Sequence, residues 1–128
     1  LDEPGGFVME EGLGHYRPIG SVSFDEAVSR VRAAIAMARS QGARKLLVDT
    51  TALTGFLSPD TFQRYFAAVA WAVEAAGSLR LALVARAEMI DPQKFGVTVA
   101  ANRGLTCDVF TTEAQARAWL DAKPVLGP

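Results

Sequence analysis

The sequence predicts a single α/β domain built on a mixed, largely parallel sheet of five strands with about four helices. Three observations lead there. Short apolar runs alternate with amphipathic segments that carry helix-start residues, in the order β-β-α-β-α-β-α-β-α, and such alternation implies a parallel sheet with helices packed on its faces. The length of 128 residues suits one domain. Half of the residues are apolar, which supplies a core and argues against disorder. The whole of 1–128 reads as this domain, with the core over about 7–122 and frayed tails at 1–6 and 123–128.

Residues 7–10 (FVME) and 15–19 (HYRPI) read as two short strands, with Gly12 and Gly14 between them to permit a turn with positive φ. Pro18 cannot donate to a ladder, so the second strand is an edge or stops there. "SFDE" at 23–26 is a capping box: the Ser23 hydroxyl can accept from the Glu26 amide while Glu26 reaches back. Val28, Val31, Ile35 and Ala38 then recur at helical spacing up to Gly42, a C-terminal stop. Residues 45–49 (KLLVD) form a short apolar run with a polar end, the signature of a buried strand. Residues 79–85 and 106–110 read as two further strands. Helices are expected over 59–76, 92–103 and 113–122. Asp91 and Pro92 offer an N-cap and a first helical position, and Thr112 with Gln115 a second capping box.

Composition excludes several functions. Lys plus Arg is 13 and Asp plus Glu is 14, a balance without the basic excess or stripe that nucleic-acid binding needs. One cysteine and one histidine cannot make a disulfide within the chain or a zinc site of Cys and His alone, so no metal or other cofactor is expected. Cys107, inside a strand, reads as a small buried hydrophobe. No apolar run reaches the ~18 residues of a membrane span and no signal peptide is visible, which makes a soluble, cytoplasmic protein the default expectation.

Four stretches carry a family resemblance: "GSVSFDEA" opening the first helix, "LLVDTTALTG" at the central strand, "LRLALVA" at the next strand, and "RGLTCDVFTTEAQARAWL" at the end. In order and spacing they resemble the bacterial SpoIIAA-like proteins, and more distantly the STAS domain of anti-sigma-factor antagonists, over about 7–120. The resemblance implies a small α/β domain with a mixed sheet, similar in overall architecture to lipid-binding CRAL-TRIO domains, in a family whose members are not generally enzymes. It also implies a regulatory serine at the start of the helix after the central strand, where Ser58 stands. In antagonists of that kind the serine is phosphorylated within an Asp-Ser-Ser/Thr-Gly setting, whereas here Leu57 and Asp60 are its neighbours.

The residues themselves give Ser58 a simpler role. Ser58, Pro59 and Asp60 are what a helix start requires, so the cap is preferred to the phospho-switch. Asp49 ends the central strand without the acidic pair and lysine that a phosphoryl acceptor needs, and is expected to hydrogen-bond the backbone of the following loop with Thr50 and Thr51. On the helix over 59–76, Phe62, Phe66, Val69 and Val73 form one stripe, expected to face the sheet. Trp71 lies nearly opposite, beside Arg64, Ala67, Ala68 and Ala75. A helix apolar on both sides is covered twice, so this outer side is expected to meet either a neighbouring helix or another chain. Trp119 with Ala116 and Leu120 fits the core stripe of the last helix.

Two functional readings follow. The first is a non-catalytic regulatory or protein-interaction domain, working as a homodimer or with a protein partner through the loop over 50–58 and the exposed side of the helix after it. The second is a carrier of a small apolar or anionic ligand near the strand carboxyl ends, using Phe56, Phe62 and Arg86, since open α/β sheets bind ligands there. Catalysis ranks third: neither a Gly-rich phosphate loop nor a Ser-His-Asp set is evident.

Overall fold

A computed structural model describes residues 5–122, so of the tails expected at 1–6 and 123–128 only Gly5 and Gly6 are described, and the Gly6 carbonyl accepts from the Arg17 amide. The strands are β1 (Phe7–Glu10), β2 (Leu13–Tyr16), β3 (Gly20–Ser21), β4 (Lys45–Asp49), β5 (Leu53–Thr54), β6 (Arg80–Val84) and β7 (Cys107–Phe110). The helices are α1 (Phe24–Ser40), α2 (Thr61–Ala75), α3 (Phe95–Asn102) and α4 (Glu113–Asp121). Five strands form the main sheet in the order β1-β2-β4-β6-β7, all parallel except β1, which runs antiparallel to β2. The sequence expectation of a mixed, mostly parallel five-stranded α/β sheet with four helices holds.

The strand order advances in one direction, and this decides where the helices go. Right-handed crossovers between successive parallel strands then place α1, α2 and α3 on the same face of the sheet. Val31, Ala34, Ile35 and Ala38 of α1 meet Leu46, Val48 and Leu81 there, together with Ala68, Ala72 and Ala75 of α2 and Ala100 of α3. The alternate strand residues Leu47, Ala82 and Val84 point to the opposite face, where Ala116 and Leu120 of α4 cover them. Trp119 is half-buried at that face, against Phe110 and under the Arg80 guanidinium, which sits 4.3 Å from its ring centroid.

Local chemistry explains where element boundaries depart from expectation. Glu11 and Gly12 both take positive φ, 49° and 84°, which gives the two-residue hairpin turn whose twist suits its strands. The second strand therefore begins at Leu13, opposite Glu10, rather than at residue 15, and Gly14 lies inside it. At α1 the Ser23 hydroxyl accepts from the Glu26 amide as expected, while the Glu26 carboxylate is 3.2 Å from Arg30. The expected N-cap role of Ser58 is corrected: α2 is capped by Asp60, whose side chain accepts from the Gln63 amide while Gln63 returns a bond to the Asp60 amide. Helix α3 starts at Phe95 instead of residue 92 because Lys94 adopts the left-handed conformation. Asp91 there accepts from the amides of Gln93 and Phe95 and closes a turn ahead of the helix.

The orientation of α2 is reversed from the sequence expectation. Phe62, Phe66 and Val73 are 76%, 64% and 65% exposed, while Ala67, Ala68, Ala72 and Ala75 are buried. Trp71 is half-buried, and its Nε1 donates to the Val28 carbonyl at 3.1 Å. Of the expected docking surface, Ala67, Ala68 and Ala75 are thus buried within the chain, Trp71 is half-buried against α1, and Arg64 stays half-buried beside Ser58. The cause is crowding. Three helices share one face of a sheet whose five strands span only about 19 Å at ~4.8 Å per step. The middle helix reaches it only if its inward side chains are small. Arg32, 2.9 Å from Glu74, and Arg39, donating to the Glu74 carbonyl, tie α1 to α2.

A feature the sequence did not reveal is a second, two-stranded parallel pairing of β3 with β5. It straps the loop after β4 to the segment that leads into α1. A Cβ on Gly55, whose φ is 103°, would come within 2.5 Å of the Val22 carbonyl oxygen, so only glycine allows this approach.

Candidate functional site: an apolar pocket at the carboxyl ends of the strands

Between the sheet and helices α1, α2 and α3 lies a cavity of about 160 Å³. It exists because every covering helix turns small side chains toward it: Ala27 from α1, Ala67 and Ala68 from α2, Gly96 and Ala100 from α3. The phenylalanines of α2 that would have filled it point outward. Leu83, Cys107 and Val109 form its floor, and the half-buried Trp71 forms part of its wall. With its nitrogen engaged by Val28, the indole offers the cavity an apolar face. Near the entrance Phe24 and Phe56 pack edge to face, 5.8 Å between centroids.

The polar groups gather where the strands end. Thr50 follows β4, and both its amide and its hydroxyl donate to the Val84 carbonyl, at 2.8 and 3.0 Å. Arg86 follows β6 and reaches across to the Leu53 carbonyl at 3.4 Å, with Glu88 at 3.6 Å. Arg64 projects from α2 and donates to the Ser58 hydroxyl at 3.0 Å and to the Met89 carbonyl at 3.2 Å. Lys94 is held by Asp108 at 2.7 Å. Amides of Phe95 and Gln93 hold the Asp91 carboxyl below its ordinary range, helped by the charge of Arg64. Among the described residues lining the pocket there are thus three cations and one carboxylate, all near its mouth.

Cys107 is half-buried in the cavity floor, and burial followed by the charge of Asp108 pushes its thiol up to about 11. At neutral pH it is a protonated, weakly polar wall group, in keeping with the expectation of a small hydrophobe.

The sequence-derived loop residues divide between two faces. Thr50, Phe56 and Arg86 line the pocket. Asp49 does not. Its side chain alternates with Val48 to the α4 side, where it is 5% exposed and accepts from the Thr51 amide and hydroxyl at 2.9 and 2.6 Å. Arg17 stands 3.7 Å from its other oxygen. His15 and Glu113, 2.9 Å apart, complete this second polar cluster. Burial alone would raise the Asp49 carboxyl, but hydrogen bonding with Glu113 and with the Thr51 hydroxyl and amide, plus the Arg17 charge, holds it below its usual value. Phe62, expected at a ligand site, faces away from the pocket. Ser58 is exposed in the loop ahead of α2, under Arg64. Pocket residues that sequence reasoning missed include Arg64 as a mouth residue, Lys94 and Ala100. Arg64 and Lys94 stand near helix starts, whereas Ala100, in the second half of α3, carries no such signal.

No protein-family model, no curated protein and no solved structure matches the chain. Among the described residues no helix is long and apolar enough to cross a membrane.

Proposed function

We propose that the chain is a non-catalytic binding domain whose working site is the pocket between the sheet and α1–α3, and that it holds a small, largely apolar molecule there. The observation that carries this reading is the cavity of about 160 Å³ with an apolar wall and a few convergent polar groups at its mouth, the common make-up of ligand sites. The lining chemistry favours holding over reacting. The thiol in the floor is protonated, the hydroxyl of Thr50 is engaged by a carbonyl, and His15 lies on the other face with Glu113. The resemblance to SpoIIAA-like proteins, a family without general catalytic activity, points the same way. Native mass spectrometry of protein taken directly from its host tests the proposal. A retained small molecule is expected, absent from an Ala68→Leu variant in which the added side chain occupies the cavity. Protein that carries no bound species, and whose tryptophan fluorescence ignores saturating toluene, overturns it.

A second reading is favoured by the exposed stripe of Phe62, Phe66 and Val73, continued by Leu57, which is 87% exposed. A second copy of the chain docks on this side of α2. At 150–250 Å² for a buried aromatic, the stripe offers on the order of 400–500 Å² per copy. Two copies would then bury about 800–1,000 Å², below the roughly 1,200 Å² at which stable interfaces begin, so the dimer is weak and concentration-dependent. Sedimentation should show self-association that Phe66→Glu abolishes; a wild-type chain that stays monomeric at high concentration rejects this surface.

A further inference from the structure

We propose that the ligand of this pocket is a small aromatic monocarboxylate, its ring against Trp71 and its carboxylate on Arg64 and Arg86. The inference rests on the binding reading above and adds the chemical class.

Size comes first. An apolar cavity of about 150 Å³ holds a benzene ring, and this one is about 160 Å³. One ring fits, whereas a long acyl chain does not. Shape comes second. The Trp71 indole, with its only donor spent on Val28, presents a flat wall, and the Phe24–Phe56 pair closes the cavity nearer the mouth. Flat walls suit a flat ligand, because ring pairs add to the stabilisation from area alone.

Charge comes third. Lys94 is matched by Asp108, and both oxygens of Asp91 are occupied by amides. The two arginines are not matched in this way. Among the described residues the hydrogen bonds of Arg64 go to neutral acceptors, a hydroxyl and a carbonyl, and Asp91 acts on it through charge without a direct bond. Arg86 has Glu88 only at 3.6 Å, and that carboxylate is 65% exposed. Both arginines border the same crevice: Arg86 leads into the short 3-10 turn Ala87–Met89, and Arg64 donates to the carbonyl of Met89, which ends it. Each also reaches the loop after β4, through Leu53 or Ser58. Guanidinium groups have the planar fork that a carboxylate fits, and a charge-assisted bond is about twice as strong as a neutral one. A carboxylate entering the crevice would supply the acceptor that the surrounding carbonyls now provide.

Calorimetric titration of the full chain with phenylacetate, toluene and dodecanoate tests the class. Phenylacetate should bind most tightly. Arg64→Gln and Arg86→Gln should each weaken phenylacetate by about tenfold while toluene affinity stays within about twofold, which also shows that the variants remain folded. Toluene matching phenylacetate, phenylacetate indifferent to both substitutions, or dodecanoate binding more tightly than either would each overturn the class while leaving the pocket as a binding site. If none of the three binds the wild-type chain the class falls, and the binding reading falls with it when protein from the host also carries no bound species.

Discussion

Asp49 is the buried carboxylate that links the end of β4 to its loop and to α4. Because its folded value lies below the ordinary one, its stabilisation is complete above about pH 4 and disappears as pH falls through the depressed value. Asp49→Asn should therefore cost about 1–3 kcal/mol at pH 7, and the gap from wild type should narrow at pH 3; urea unfolding at both pH values measures this. A gap that stays constant would mean that the carboxylate charge contributes little. At this scale the sequence was a fair guide to hydrogen bonding and a poor guide to direction. That Asp49 would bond its own loop follows from its side-chain length and position. That it would face α4 and not the pocket depends on which strand residues alternate to which face, which needs the sheet to be assembled.

Helix α2 shows the limit of periodicity most clearly. A 3.6-residue repeat finds a stripe, but on a helix apolar on two sides it cannot say which stripe turns inward. The large side chains gave the stronger signal, yet close approach to α1 and α3 selected the alanines. Stability measurements separate the two orientations. Trp71→Ala, which opens the packing beside α1, should cost toward the lower end of about 3–5 kcal/mol, whereas Phe66→Ala on the exposed side should cost less than about 1 kcal/mol; chemical unfolding of both variants decides it. The start of the same helix gives an independent check. Asp60→Ala should cost about 1 kcal/mol through loss of the cap, and Ser58→Ala no more than about 0.5 kcal/mol. The sequence offered Ser-Pro-Asp as one helix start. The reciprocal bond between Asp60 and Gln63 settles which of the two polar residues serves, and in the sequence it shows only as a polar pair three residues apart.

For the whole molecule, the alternation of apolar runs and capped helices was enough to predict the α/β class and the sheet of five strands. The β3–β5 strap was not legible, since two-residue strands carry no periodicity. The pocket was not legible either. Its presence depends on what the helices leave out, and small residues spread over three helices form no local pattern. A pocket enclosed by three helices and the sheet couples occupancy to global stability. A ligand at a hundred times its dissociation constant should add about 2.7 kcal/mol, raising the melting temperature by roughly 10 °C for a domain of this size. A thermal shift of this order with the ligand retained in native mass spectrometry, absent in Ala68→Leu, would link the cavity to the stability of the entire fold.

With three crossovers on one side, the other side of the sheet depends on a single late helix. A nascent chain that has emerged only as far as Phe110 already includes every strand among the described residues and helices α1–α3, yet Leu47, Ala82 and Val84 still lack the cover of α4. Until residues 111–121 appear this face lacks its cover, and α4, with Glu113 2.9 Å from His15, is the element that closes it.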